Sequence, residues 1–105
     1  MSLKIKKKFE EDHGIWKMEL DGEIDIYTAA ELKKTFHEMF EKRKEPVEIN
    51  LESLEYIDST GLGVLIGALK RLKEEDKHIT LFHVKPNILK LLNITGLNKI
   101  FVIKE

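Results

Sequence analysis

The sequence contains no cysteine and no glutamine, only 2 prolines and 1 tryptophan, and no long apolar run. Without thiols there is no disulfide, no thiolate metal centre and no cysteine nucleophile, a composition that suits a reducing compartment, so a cytoplasmic location is expected. No segment approaches the roughly 20 apolar residues of a membrane span, and the amino-terminal lysines lead into no apolar stretch of signal-peptide length. A soluble protein with no membrane partner is therefore expected. Charge of one sign is missing as well. The 18 basic and 19 acidic residues are interspersed and leave a net charge of -1, which provides no field to hold nucleic acid. The densest basic stretch, Lys4 to Lys8, is soon answered by Glu10, Glu11 and Asp12. It reads as an edge strand whose lysines deter strand-to-strand aggregation.

What is present suits one domain, residues 1–105, large enough to bury its own core. Two β-like segments, about Leu3 to Phe9 and Ile15 to Leu20, flank the turn signal Glu11-Asp12-His13-Gly14 and predict a hairpin; Asp21-Gly22 should break the second. Thr28, with Glu31 three residues on, has the form of a capping box. From it Ala29, Leu32, Phe36, Met39 and Phe40 recur at helical spacing on one face. Val47, Ile49 and Leu51 alternate with polar residues as a third strand, followed by a loop through Ser53. The segment from Gly61 to Leu72 is helical and apolar on nearly every side. Ile79 to Val84 reads as a strand covered on both faces. Pro86 opens a helix carrying Ile88, Leu91 and Leu92 inward that should stop near Gly96, and Ile100 to Ile103 forms a last strand. The order ββαβαβαβ predicts an α/β fold: a mainly parallel sheet, an antiparallel amino-terminal hairpin and right-handed helical crossovers packed on the sheet.

A catalytic constellation is not evident. His13, His37, His78 and His83 are scattered, with no pair at metal-ligand spacing. Asp21, Glu23 and Asp25 have no separate acid or nucleophile beside them. Gly61, Gly63 and Gly67 approximate a dinucleotide fingerprint, but they lie mostly inside a helix and no phosphate-loop lysine accompanies them; they read better as positions of close helix approach. Neither enzyme activity, metal nor cofactor is expected. Asn93-Ile94-Thr95 matches a glycosylation sequon but reads as a helix end. There remains Asp58-Ser59-Thr60-Gly61. A serine at a helix start is ordinarily a cap; Leu62 denies Ser59 a capping box, and the free amides and dipole of a helix amino terminus also favour a phosphate.

Three ordered blocks carry a resemblance: Leu20-Asp21-Gly22-Glu23-Ile24-Asp25 with Thr28-Ala29-Ala30-Glu31-Leu32; Ile49-Asn50-Leu51 through Tyr56-Ile57-Asp58-Ser59-Thr60-Gly61-Leu62-Gly63-Val64-Leu65; and Leu91 to Leu97 before Ile100-Phe101. Over essentially the whole chain they resemble the STAS domain, specifically the bacterial anti-sigma factor antagonists. The resemblance implies a partner-switching protein whose unphosphorylated form binds an anti-sigma factor that is also a serine kinase, freeing the sigma factor. The kinase would phosphorylate Ser59 and a serine phosphatase would restore the binder. It also implies that Asp25 lies beside Ser59 and that Asp25, Asp58, Ser59, Thr60, Gly61 and Leu62 form the partner site. A monomer or weak dimer is expected. The alternative is a STAS subunit of a stress-sensing or transport complex without a sigma circuit.

Overall fold

The computed structural model describes residues 2–105. The hairpin pairs β1 (Leu3–Glu10) antiparallel to β2 (Ile15–Ile24), with Leu3 opposite Gly22 and Glu10 opposite Ile15. After α1 (Ala29–Lys42) come β3 (Val47–Asn50), β4 (Leu54–Ile57), α2 (Ser59–Lys73), β5 (Ile79–Phe82), α3 (Pro86–Thr95), a short 3₁₀ turn (Leu97–Lys99) and β6 (Val102–Lys104). The sheet order is β1-β2-β3-β5-β6, parallel from β2 onward. The expected order of elements and the mostly parallel sheet with an antiparallel hairpin are present, with the short β4 added. β4 pairs in parallel with the carboxyl-terminal part of β2, along the edge that β3 occupies further back.

Two sequence expectations about strands are corrected. Asp21-Gly22 does not end β2, which runs on to Ile24. Gly22 adopts φ +119, where a Cβ would lie 2.2 Å from the Ser2 carbonyl oxygen, and the register with β4 shifts between Gly22 and Glu23. The glycine thus makes a bulge that lets one strand serve two partners in succession. β5 is not covered on both faces. Ile79 and Leu81 are buried while Thr80 and Phe82 are only half-buried.

The same alternation runs across the sheet. Trp16, Met18, Leu20, Val47 and Ile49 point into a core that they share with Leu32, Phe36 and Met39 of α1, Leu62, Leu65, Leu69 and Leu72 of α2, and Ile88 and Leu92 of α3. Lys17, Glu19, Glu48 and Asn50 occupy the opposite, wetter face. Each strand side chain of the larger apolar type that moves from water into this cluster stabilises the fold by about 1.5–3 kcal/mol. As the sequence predicts, α3 stops at Gly96, which takes the left-handed conformation at φ +78.

Because β2 to β5 are parallel, the chain leaves the sheet into α1 and α2 from the same edge. Asp25 follows the last residue of β2 and Asp58 the last of β4, and the Asp58 amide donates to the Ile24 carbonyl at 3.1 Å. That pairing brings the two acidic junctions side by side.

Candidate functional site

The site is built on those two junctions. In the first, Asp25 is buried, with 5% of its surface exposed. Its Oδ1 accepts from the Tyr27 amide at 2.8 Å and the Thr28 amide at 3.1 Å, while its Oδ2 is buried and has no hydrogen-bond partner among the described residues. Thr28, expected to cap α1 through its side chain, does not. Its hydroxyl donates backward to the Glu23 carbonyl at 2.8 Å and accepts from the Asp25 amide at 3.0 Å, tying the loop to the end of β2. The local reason is that the hydroxyl is committed to these two backbone groups and does not turn to the first amides of α1, a local side-chain to backbone bond taking the place of the cap. With both polar side chains turned inward, Ile26 and Tyr27 face outward, 67% and 84% exposed.

In the second junction the cap belongs to Asp58 and not to Ser59. Asp58 has extended backbone, its Oδ1 accepts from the Gly61 amide at 3.0 Å, and its carbonyl accepts from the Leu62 amide. Ser59 is therefore the first residue inside α2, where its side chain is exposed and takes no part in capping. The amides of Ser59 and Thr60 are left over by this cap. An anion at Ser59 thus meets both a favourable helix terminus and the fixed negative charge of Asp58.

Gly61 explains how α2 comes so close to the sheet. A Cβ there would stand 2.5 Å from Ile24 Cγ2 and 2.8 Å from Ile57 Cγ1. The helix start is pressed onto the ends of β2 and β4, and the residues just before that contact point, Ser59 and Thr60, are held outward. The sequence expectation that these glycines let the helix come close to the sheet or to a partner is met against the sheet at Gly61; at Gly63 and Gly67 an added Cβ would meet nothing within 4 Å among the described residues.

Of the six expected partner-site residues, Ser59 and Thr60 are exposed and Asp58 is half-buried. Asp25, Gly61 and Leu62 are buried, so they shape the surface from beneath. Asp25 and Ser59 share one corner of the fold through the Ile24–Ile57 pairing, with no hydrogen bond between them among the described residues. Sequence reasoning missed the exposed apolar groups of this corner: Ile26, Tyr27 and Tyr56, the last 46% exposed and paired across the strands with Glu23. Ile26-Tyr27 stands between a strand and a helix whose apolar faces are already complete without it, and that surplus is the signal that could have found it. Among the described residues no group of three His, Asp or Glu side chains converges as a metal centre, and no helix is long and apolar enough to cross a membrane.

The STAS domain family model matches residues 6–105. The chain is 34% identical to the anti-sigma-B factor antagonist of Staphylococcus epidermidis and 33% identical to that of Staphylococcus aureus, in each case over all of this chain and 95% of the relative. Among solved structures it superposes on a putative anti-sigma factor antagonist from Thermotoga maritima with a TM-score of 0.87 and 25% identity, covering 96% of this chain and 86% of the other. SpoIIAA, an anti-sigma factor antagonist solved in unphosphorylated form, shares the fold at a TM-score of 0.76 and 16% identity, with 97% of this chain and 88% of that one covered. With the STAS model matched over residues 6–105 and relatives of 33–34% identity matched over the whole chain, the chain belongs to the STAS domain family.

Proposed function

We propose that this chain is an anti-sigma factor antagonist whose unphosphorylated form binds an anti-sigma factor serine kinase in the cytoplasm, releasing a sigma factor, and that phosphorylation of Ser59 ends the binding. The observation that carries the reading is the division of labour at the start of α2: Asp58 caps the helix, which leaves the Ser59 hydroxyl exposed and uncommitted. The end-to-end likeness to anti-sigma-B factor antagonists supports it.

The chain itself performs no catalysis in this scheme. The Ser59 oxygen attacks the terminal phosphorus of the kinase's ATP, the bond to ADP breaks, and the hydroxyl proton passes to a base of the kinase. A serine phosphatase reverses the state with water. Phosphate adds about -1.5 to -2 charges. At a helix amino terminus it leaves α2 intact, so the effect falls on the partner surface, where Asp58 already supplies negative charge and where Ile26, Tyr27 and Tyr56 offer apolar contact. Like charges brought together in an interface cost several kcal/mol.

Incubation with the cognate kinase and ATP should add the mass of one phosphate to the wild type and to Thr60→Ala, and none to Ser59→Ala. Ser59→Asp should keep the wild-type circular dichroism spectrum yet bind the kinase about 100-fold more weakly, ~2.7 kcal/mol. A phosphate gain that survives Ser59→Ala would remove the proposed switch.

A further inference from the structure

A groove runs between α1 and α2 from Thr60, next to the switch serine, to Arg71, with a volume of about 610 Å³. Its floor is Phe36, Val64 and Ala68, and along the α2 side Gly63 and Gly67 stand one turn apart with open space where their side chains would be. Glycine weakens a helix interior relative to alanine, and nothing among the described residues fills the space that these two leave. Two small positions at i and i+4 on one helix face are the geometry that lets another helix backbone come close.

The rim has one sign. Lys33 and Lys34 of α1 and Arg71 of α2 supply its charge, His37 lies beside them, and no acidic side chain lines it. The carboxylates of α1 lie elsewhere: Glu31 lines a separate depression with Asp21 and Gly22, and Glu38 and Glu41 line another with Trp16. Glu41 reaches toward the groove side only to meet His37, at 2.8 Å. Lys33, Lys34 and Arg71 have no carboxylate partner among the described residues; Arg71 is held over the Phe40 ring at 5.1 Å from its centroid. In a chain of nearly balanced charge, this is a local segregation that calls for an anionic occupant.

We propose that this groove receives an acidic-flanked helix of the partner protein, small-sided toward Gly63 and Gly67 and carrying Asp or Glu toward Lys33, Lys34 and Arg71. The inference rests on the proposed function and adds to it the location and charge of the partner's docking element. Helix-in-groove docking of this kind needs a preformed trough and flanking charges that fix register. It also gives phosphorylation a longer lever: a phosphate on Ser59 stands at the groove's head, where it repels the same acidic segment that the rim attracts.

The test uses the kinase that phosphorylates Ser59 in the assay above, so that phosphorylation of the wild type reports the functional reading separately from the groove. Gly67→Leu fills the trough at a position with free space, and Lys33→Glu with Lys34→Glu reverses the rim. Both should fold, and each should weaken kinase binding at least 10-fold by calorimetry. The double variant Lys4→Glu, Lys6→Glu on the first strand should change it less than twofold, and hydrogen exchange should show the Gly63 to Ala68 amides protected in the complex. Wild-type affinity in Gly67→Leu or in the rim variant overturns the inference while leaving Ser59 as the switch. Dimerisation of the wild type in sedimentation that Gly67→Leu abolishes would assign the groove to a second copy of the chain and likewise overturn it.

Discussion

The two ends of the parallel sheet use charge in opposite ways. Where β3 and β5 begin, Lys44 pairs with Glu74 at 3.0 Å and Glu75 at 3.4 Å, and Lys77 with Glu45 at 2.9 Å and Glu75 at 3.2 Å. Where β2 and β4 finish, Glu23, Asp25 and Asp58 have no basic partner among the described residues; Glu23 and Asp25 each bury a carboxylate oxygen with no partner among them, and Asp25 through its other oxygen and Asp58 through its Oδ1 accept from nearby backbone amides. The first arrangement is closed, since each charge is answered within the chain, and exposed pairs of this kind add little stability. The second uses carboxylates as local scaffolding, so that Ile26, Tyr27 and Ser59 are presented outward. A residue at the finishing end should therefore affect both the fold and the proposed partner surface, whereas one at the beginning end should affect neither strongly.

The sharpest way to break this contrast is at Gly61. Gly61→Ala forces a methyl group against Ile24 and Ile57, and overpacking of this kind costs about 1–3 kcal/mol. In Gly63→Ala and Gly67→Ala the added methyl meets nothing, and each should instead stabilise α2 by up to about 1 kcal/mol. Urea unfolding of the three variants gives the comparison directly. Equal stability for all three would mean that α2 is not pressed onto the strand ends.

Next come the two acidic junctions. Asp25→Ala removes two part-buried amide bonds to a carboxylate, although the Thr28 amide keeps the backbone carbonyl of residue 25 at 3.2 Å, and should cost about 2 kcal/mol, whereas Asp58→Ala removes one part-buried cap bond and should cost about 1 kcal/mol. Amide exchange should localise the effects, at Tyr27 and Thr28 for the first and at Gly61 for the second. Were Asp58→Ala the more damaging of the two, the buried junction would not be the main organiser of this corner.

The elements that could be read from the sequence are those whose periodicity is long enough to fix a face: α1 through Leu32, Phe36 and Met39, β3 through Val47 and Ile49, and α3 between Pro86 and Gly96. The failures have local causes. β4 is a 4-residue strand with exposed Glu55 and Tyr56 at its centre, so it shows no alternation. Asp-Gly commonly ends a strand, and only the pairing of β2 with two successive partners shows why Gly22 continues it. Ile79 to Phe82 is too short an apolar run to reveal that Thr80 and Phe82 face the wetter side. Both helix starts hold two residues able to bond the local backbone; Thr28 turns back to the end of β2 and leaves α1 without a side-chain cap, while Asp58 and not Ser59 caps α2, and spacing alone cannot say which way each side chain turns. That choice matters most at Ser59, because its hydroxyl is free for the proposed phosphorylation only if Asp58 takes the cap.

The smallest expected effect is at the beginning end, and its pH dependence identifies it. The hydrogen bond from Lys77, reinforced by Lys44, holds the Glu75 carboxyl below its ordinary value of 4.5. The carboxylate of Glu45, with Glu75, raises Lys77 above 10.5. A depressed carboxyl contributes stability that is present above its unfolded value and is lost as the pH falls through the lower folded value; a raised lysine contributes stability that is present below its unfolded value and is lost as the pH rises through the folded one. The contribution of the network is therefore level between about pH 5 and about pH 10 and declines outside those limits. Lys77→Met should lower the melting temperature slightly near neutrality, by less than Asp58→Ala does. The gap from wild type should narrow as the pH is taken from about 5 to about 3, and also in molar salt, because exposed pairs are screened. A Lys77→Met deficit that equals that of Asp58→Ala and persists in salt would show that the two ends of the sheet do not differ in the way their charges suggest.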